Sequence, residues 1–224
     1  LTGNVIIKKD STVLMTEKAL IFPNNEKFEL SGNITMIDQE NILICDSLFY
    51  FAKDNESIIS FGNVKLSNSE TDITSDSLYY SLSNDSISAY GDAYLKHIQS
   101  EMTAGIINLK TSNGYLGNSF SAQDDVIIRE KDITISGAEI IYTDSTQHMS
   151  IIKNAHISNQ GNDIYGENIF IQFQDSMIQE IIIDEDPFIY SEVNTIIDGE
   201  NESDKFIDIM KKKYNILSKN ENTK

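Results

Sequence analysis

The side chains of this sequence that could carry out chemistry are few and widely separated. The histidines are His97, His148 and His156, with no fixed metal-ligand spacing among them. Cys45 is the single cysteine, which excludes an intrachain disulfide and a cysteine zinc site and is typical of a small core residue. The sequence contains no nucleophile elbow, zincin helix, phosphate-binding loop or dinucleotide fingerprint. We therefore predict that the chain is not an enzyme, and we predict no metal and no cofactor.

Carboxylates are the most frequent charged groups, with 35 Asp and Glu against 17 Lys and Arg and a net charge of −18. A field of this sign repels nucleic acid and anionic bilayers, so neither is an expected partner. A ligand that carries phosphates would have to be held mainly by its apolar part. The Asp46-Ser47-Leu48 and Asp76-Ser77-Leu78 motifs suggest calcium, but the carboxylates keep no fixed phase along the chain. A bend or bulge that needs a small residue is the favoured interpretation.

These motifs lie within a repeat of about 30 residues, which is the main organising feature of the sequence. The repeat is marked by one short phrase, which occurs as Gly3-Asn4-Val5, Gly32-Asn33-Ile34, Gly62-Asn63-Val64, Gly91-Asp92-Ala93, Asp124-Asp125-Val126, Lys153-Asn154-Ala155 and Glu185-Asp186-Pro187. A fixed period of this length indicates stacked supersecondary units. Gly and Asn tolerate positive φ at a sharp bend, so we expect the later corners, which lack Gly, to be looser or differently turned.

Each unit contains three strand-like pieces with alternating apolar and polar residues, separated by polar turns. In residues 62–91 these pieces are Val64–Leu66, Ile73–Leu82 and Ile87–Ala89. A shift of one residue would turn a whole piece outward, so the constant phase predicts a shared interior that forms one continuous apolar channel. Ser60 is the clear polar exception on the inward face. The inward positions that we single out are Ile34, Met36, Leu48, Tyr50, Ile58, Val64, Leu66, Leu78, Tyr80, Ile87, Leu95, Ile107, Leu109, Phe120, Val126, Ile128, Ile140, Tyr142, Ile151, Ile169 and Ile171.

The repeat predicts an all-β domain over residues 1–190 and a different tail over residues 191–224. The tail contains a candidate last strand at Ile196-Ile197 and a candidate short amphipathic helix over Asp204–Leu217. Its final residues have the composition of a disordered end. No run of about 18 apolar residues occurs, so no membrane-spanning helix is predicted.

Units of the form Gly-Asn-Val-x-Leu, Ser-Asp-Ser-Leu-Tyr-Tyr and Ile-x-Ala-x-Gly resemble the OstA-like (organic solvent tolerance) family. This resemblance covers about residues 1–190. It implies a repetitive antiparallel twisted β-jellyroll of about seven units, with an open seam that exposes an apolar interior. It also implies a periplasmic location, with or without association with the outer membrane.

The same resemblance implies a function in lipid transport. Lipopolysaccharide or a related lipid would place its acyl chains against the inward residues named above. The partners would be other jellyroll proteins of a transport bridge, joined end to end by strand pairing, and a homo-oligomer is allowed. Two alternatives stay open: a structural or adhesive β-solenoid with a filled core and closed coils, and a carbohydrate-binding β-helix. The latter would use exposed aromatic residues such as Tyr79, Tyr90, Tyr94 and Tyr115.

Overall fold

The structure is a computed structural model of the chain. It describes residues 1–52, 56–112, 115–174, 177–184, 188–191 and 217–218. The chain divides into two compact units, Leu1–Phe120 and Ser121–Lys224. Within the described part, no helix is long and apolar enough to cross a membrane.

The first unit consists of long strands that follow one another in chain order, each antiparallel to the next. Short polar turns join them, and a 3₁₀ turn over Pro23–Asn25 follows the second strand. The strands are β1 (Thr2–Lys9), β2 (Thr12–Phe22), β3 (Lys27–Asp38), β4 (Asn41–Phe51), β5 (Ser57–Ser67), β6 (Thr71–Ser81), β7 (Ser86–His97) and β8 (Ser100–Ser112).

The division between the units falls in β9 (Tyr115–Glu130). The second unit continues with β10 (Ile133–Thr143), a 3₁₀ turn over Asp144–Thr146, β11 (His148–Asn159), β12 (Asn162–Gln174), β13 (Met177–Asp184), β14 (Phe188–Ser191) and β15 (Leu217–Ser218). Strands β10 to β13 pair antiparallel in chain order. Strands β13 and β14 both pair with β12, along its two halves. The short β15 lies parallel to β13.

These strands confirm the predicted all-β antiparallel jellyroll, with one difference in how a repeat is built. The third piece of one repeat and the first piece of the next form a single strand, bent at the Gly-Asn corner, as β7 does from Ser86 to His97. A repeat therefore contributes two long bent strands instead of three short ones. The antiparallel pairing differs from the closed coils expected of a β-solenoid. The candidate strand at Ile196-Ile197, the Glu185–Pro187 corner and all but the last residue of the candidate helix lie outside the described residues.

A two-residue bulge produces each bend. Between the pairs Phe61↔Ser77 and Val64↔Ser75, the two residues Gly62 and Asn63 face the single residue Asp76. Two residues against one leave part of the ladder unpaired and turn the strand sharply. The same shift recurs at the corners of β1, β3, β7 and β11.

Both residues of the bulge are left-handed at the Gly32-Asn33 and Gly62-Asn63 corners. Gly62 has φ of +75° and Asn63 has φ of +48°. Glycine reaches this region without steric cost, and Asn does so more readily than most other residues. The predicted bend is thus confirmed, and its local cause is the pair of residue types at the corner.

A carboxylate from the preceding strand also packs on the corner glycines Gly32, Gly62 and Gly91. A Cβ at Gly62 would lie 2.4 Å from Oδ2 of Asp46, and the same relation holds between Gly91 and Asp76. The Asn63 side-chain amide donates to Oδ2 of Asp46 at 2.9 Å. The acids of the Asp-Ser-Leu motifs therefore secure the corner of the following strand, a role that the sequence interpretation did not assign to them.

The expectation that corners without Gly would be looser or differently turned is wrong at the two such corners that the structure describes. Lys153 and Asn154 have φ of +58° and +52°, and Asp124 and Asp125 adopt the same region. Between the pairs Ser136↔His156 and Glu139↔Ile152, the preceding strand places Gly137 and Ala138 opposite this corner. At this corner a side chain replaces the glycine, small residues replace the neighbouring acid, and the same bulge is kept.

The bulges leave backbone carbonyls that buried hydroxyls can satisfy. The Thr16 hydroxyl donates to the carbonyl of Ser31 at 3.0 Å, and the Ser75 hydroxyl donates to that of Ser77 at 2.9 Å. Ser60, the polar exception on the inward face, is fully buried and donates to the carbonyl of Leu78 at 3.3 Å. Buried polar groups are tolerated when they are paired, which explains why these positions can interrupt the apolar pattern.

Gly62→Ala should lower the free energy of unfolding by about 3 kcal/mol, because the new methyl group adds a clash with Asp46 to the positive-φ cost. Gly3→Ala is the matched control, since Gly3 has φ of +94° but nothing within 4 Å of its added Cβ. That control should cost about 1 kcal/mol. Urea unfolding measures both values.

In an Asp46→Ala background, Gly62→Ala should cost clearly less than in wild type, since the clashing carboxylate is gone and only the Cβ of residue 46 remains, 3.0 Å from the added Cβ. A cost that is the same with and without Asp46 would contradict the packing argument.

Candidate functional site

The interior of the jellyroll is formed by the residues that the sequence pattern places inward. Each of the 21 inward positions named from the sequence is buried or half-buried, and none is exposed. Leu48, Leu78 and Ile107 are at most 1% exposed, whereas Met36, Leu66 and Tyr80 are half-buried. The pattern therefore located an apolar interior in each unit. Lipid contact by these residues stays a prediction.

The sequence analysis missed a further inward set, which lies before the corner on the even-numbered strands. Ile34 pairs with Cys45, and Met36 pairs with Leu43. The buried members of this set are Thr16, Leu43, Cys45, Thr71, Ile73, Ser75, Met102, Ala104 and Ile164, of which only Cys45 was expected in the core. The run Ile42–Cys45 is apolar on both faces, so its alternation gives no phase. Only pairing with the neighbouring strand assigns a direction to these side chains.

A cavity of about 100 Å³ lies in the interior of the first unit. It brings together five of the predicted residues, Met36, Ile58, Leu66, Tyr80 and Ile87, and it adds Leu43 and Ile73 from the missed set. The other predicted residues do not line this cavity. Its remaining wall is polar and comes from Asp38, Asn41, Ser67, Asn68 and Thr71, together with the apolar Leu82.

The cavity lies between the two arms into which the corners divide each strand. Met36 and Leu66 follow the corners of β3 and β5, whereas Ile58 and Ile87 precede the corners of β5 and β7. Residues from both sides of the bends therefore face one space. The strand ends, where Asp38 and Tyr80 lie, form the two rims of this space, which we call the seam.

One rim of the seam is a row of hydrogen-bonded polar side chains. The Asn68 side-chain amide donates to Oδ1 of Asn41 at 3.2 Å, and the Thr71 hydroxyl lies 2.9 Å from Nδ1 of His97. Oδ1 of Asp38 accepts hydrogen bonds from Ser11 at 2.7 Å and from Thr12 at 3.1 Å. At this rim the inward-facing positions of the strands carry polar side chains, whereas the inward-facing positions nearer the bends carry apolar ones.

The opposite rim carries tyrosines next to carboxylates. Tyr50 donates to Glu56, and burial together with this hydrogen bond raises the pKa of Tyr50 to about 12. Burial also raises the pKa of Tyr80, and the charges of Asp85 and Asp38 raise it further. Asp38 belongs to the other rim and lines the same cavity as Tyr80, so the two rims are close. Both phenols stay protonated to a higher pH than a free tyrosine.

Two side chains that could react, His156 and Cys45, lie outside the seam. On β11 and β12, Nε2 of His156 lies 2.7 Å from Oδ1 of Asp163, and the His156 ring stacks on Tyr165 with centroids 4.2 Å apart. In the described part of the chain, no group of three His, Cys, Asp or Glu side chains is placed to hold a metal ion. The Cys45 thiol is fully buried, and desolvation, followed by the charge of Asp46, raises its pKa to about 12.

The fold and its interior define a class of protein, an antiparallel jellyroll with an apolar core and a polar seam. Residues 1–85 match the family described as OstA-like protein. Residues 48–176, more than half of the chain, match the family described as LptA/(LptD N-terminal domain) LPS transport protein. The chain therefore belongs to this LPS transport protein family, and the resemblance found in the sequence is confirmed.

One solved structure similar to this chain is LptH from Pseudomonas aeruginosa, described as the LptA homologous periplasmic component of the conserved lipopolysaccharide transport device. The two are 14% identical, the match covers 58% of this chain and 89% of that chain, and the TM-score is 0.43. No curated protein matches the chain.

The raised pKa of Cys45 predicts a loss of stability at alkaline pH. In the unfolded chain the thiol ionises from about pH 9, while in the folded chain it stays protonated up to about pH 12. The unfolded state therefore binds fewer protons in this window, and stability falls as the pH rises. Cys45→Ala should lack this contribution, which is about 1 kcal/mol at pH 10.

Urea unfolding of both proteins at pH 8 and pH 10 measures the difference. The raised tyrosine pKa values act in the same direction in both proteins, so they cancel in the comparison. An equal loss of stability in wild type and Cys45→Ala would contradict the assignment to Cys45.

Proposed function

We propose that this chain is a non-enzymatic periplasmic lipid carrier or bridge segment, which shields lipopolysaccharide acyl chains in its apolar interior on the way to the outer membrane. The observation that carries the proposal is the apolar cavity between the two arms, with the seam along its edge. Membership of the LPS transport protein family supports the same function. Hydrophobic shielding requires no catalytic group, in keeping with the absence of a catalytic motif in the sequence.

Acyl chains gain about 0.8 kcal/mol for each methylene removed from water, so an apolar groove suffices to hold a lipid. A cavity of about 100 Å³ accommodates only a few carbons. Binding of a whole chain therefore requires the arms to separate along the seam. The half-buried residues next to the rims, such as Met36, Leu66 and Tyr80, would contact the lipid first.

We assign the deeper inward residues to the wall of the opened groove. Leu48, Leu78 and Ile107 are close to the bends and fully buried, so they also hold the strands together. In the second unit the corresponding positions are Ile140 and Ile169, which are fully buried as well and pair with the fully buried Ile151. The same residues thus serve the core of the empty protein and the groove of the loaded one.

A structural roll with a filled core is the competing function, and one observation favours it. Many inward side chains are 0–2% exposed, so the interior is well packed outside the cavity. A permanently filled core would take up no lipid at any position, whereas a carrier would do so beside the seam. Site-specific crosslinking separates the two.

A photoreactive amino acid at Leu66 or at Tyr80 should form adducts with lipopolysaccharide, because both side chains line the cavity. The matched controls are Lys65 and Tyr79, which are the chain neighbours of the probed residues and point to the other face of the sheet. Immunoblotting after irradiation measures the adducts.

Adducts at the inward positions, at several times the yield of the outward ones, are the expected result. Equal adduct yields at the inward and outward sites, or no adducts at any site of a folded protein, would contradict the carrier proposal and favour a structural roll with a filled core.

We further propose that the chain joins other jellyroll proteins, or copies of itself, by end-to-end strand pairing. Among the described strands, β1 pairs on one side only, with β2. An edge strand offers unpaired amides and carbonyls to a second chain. The positive charge of Lys8 and Lys9 on this strand contrasts with the acidic chain as a whole and suits an acidic partner edge.

Proline substitution tests this pairing, because alternate residues of an edge strand direct their amides inward and outward. Of Ile6→Pro and Ile7→Pro, one removes an amide that bonds to β2 and the other an amide that faces outward. The variant that removes only the outward-facing amide should keep the circular dichroism spectrum of the wild type. It should self-associate less when sedimentation is measured over a range of increasing protein concentrations. Unchanged association in both variants would contradict pairing through β1.

A further inference from the structure

The cavity of the first unit ends abruptly along one row of inward side chains. The row follows the strand pairing from β3 to β7 through Phe28, Tyr50, Ile58, Tyr80 and Ile87. Ile58, Tyr80 and Ile87 line the cavity. Tyr50, which pairs directly with Ile58, does not line it, and neither does Phe28 on the next strand. The cavity therefore stops where two aromatic rings follow one another in the row.

The opposite arm of the roll ends the cavity on the same side. There the inward row runs through Leu14, Met36, Leu43, Leu66 and Ile73. The cavity includes every member of this row from Met36 to Ile73, but not Leu14 on β2. Leu14 and Leu66 are both half-buried, so their burial does not account for the difference between them. The end of the cavity toward β2 is thus a feature of both arms.

The two rings at this end pack against each other and are fixed in place. The ring centroids of Phe28 and Tyr50 are 5.7 Å apart, with an angle of 50° between the ring planes. The Tyr50 phenol also donates a hydrogen bond to Glu56, which holds the free end of its ring. A flat ring keeps its shape and has two side-chain torsions, whereas an unbranched side chain such as Met36 changes shape to admit a ligand. The ring pair therefore yields less readily than the aliphatic lining of the cavity.

We propose that the Phe28–Tyr50 ring pair is a barrier inside the first unit, which holds an acyl chain in the cavity and keeps it out of the interior next to β2. Phe28 and Tyr50 are positioning residues, since they fix how far a chain reaches along the inside of the roll. This inference rests on the proposed function, because it concerns the lipid chain that the cavity admits. A lipid that moves lengthwise through the unit would pass this point only after the rings turn aside.

Photo-crosslinking on the two sides of the ring pair tests the proposal with the intact chain. A photoreactive amino acid is placed at Leu66, on the cavity side, or at Leu14, on the far side, and each protein is irradiated with purified lipopolysaccharide. In wild type, the probe at Leu66 should give adducts at several times the yield of the probe at Leu14. A probe at Lys65, which points to the outer face, gives the background yield for both.

Removal of the rings should open the far side to the lipid. In Phe28→Ala/Tyr50→Ala, the adduct yield at Leu14 relative to Leu66 should rise at least about fourfold, since each methylene that enters the vacated space strengthens binding by about that factor. Tyr50→Phe keeps the ring and removes only the hydrogen bond to Glu56, so its ratio should stay close to that of wild type. If the alanine pair does not fold, Phe28→Leu/Tyr50→Leu keeps most of the apolar volume without the rings and should raise the ratio in the same direction.

An aromatic pair on the outer face provides the matched control. Phe49 and Phe61 lie on β4 and β5 with ring centroids 6.1 Å apart, and Phe61 is 42% exposed. Phe49→Ala/Phe61→Ala removes two rings from the same sheet without touching the interior, so it should leave the ratio of Leu14 to Leu66 adducts as it is in wild type. A rise equal to that of the interior pair would indicate a general loosening of the fold and would overturn the barrier.

The outcomes separate this inference from the function on which it rests. Equal adduct yields at Leu14 and Leu66 in wild type, or a ratio that removal of the rings leaves unchanged, would overturn the barrier while leaving acyl shielding intact. No adducts at either position in a folded protein would overturn both.

Discussion

The left-handed two-residue bulge is the constraint on which the rest of this structure depends. Without it, strands with an alternating pattern would form a flat sheet with one apolar face open to water. At each bulge two residues face one, the strand turns, and its two arms bring their apolar faces toward each other. Because the bulges recur at almost the same interval, the bends lie beside one another along each unit. The interior exists because the corners are in register.

The corner can be built from more than one combination of residues, provided that the two strands compensate. In the first unit a glycine without a Cβ leaves room for a carboxylate of the preceding strand, which also accepts a hydrogen bond from the corner Asn. In the second unit Lys153 stands at the glycine position, opposite Gly137 and Ala138. The backbone geometry is therefore conserved between repeats while the side chains that support it are exchanged. This explains how the repeat can weaken in sequence and persist in structure.

The interior changes character along each arm, and this gradient connects the fold with the proposed function. Near the bend, side chains are small or fully buried, and hydroxyls such as that of Thr16 satisfy carbonyls released by the bulge. Farther out, larger side chains are half-buried around a cavity, and at the strand ends polar groups form the seam. Separation of the arms at the seam would expose the half-buried residues first and leave the packed region at the bend intact. A groove that opens at one edge thereby keeps a stable core.

The sequence by itself determined the strand content, the repeat, the position of the corners and the direction of most inward side chains. These features follow from local rules, since alternation fixes which face is apolar and Gly-Asn favours positive φ. Its polar exception, Ser60, was also assigned to the correct face, because its neighbours on the strand fix the phase. The residues of the run Ile42–Cys45, such as Leu43, could not be assigned in this way. Their direction depends on a partner strand, and a run that is apolar on both faces carries no phase of its own.

Only the tertiary structure decided that the strand pieces on the two sides of a corner form one bent strand, and which residues meet across the interior. Met36 and Ile87 are far apart in sequence and line one cavity because the bends fold two arms together. Asp38 and Tyr80 line this cavity from its two rims for the same reason. The equivalence of the glycine corners and the Lys153 corner was also decided by the tertiary structure, because it rests on the residues that the neighbouring strand places opposite the bulge. Contacts between distant segments are set by the register between strands together with the bends, and the local pattern of a single strand fixes only where a bend falls.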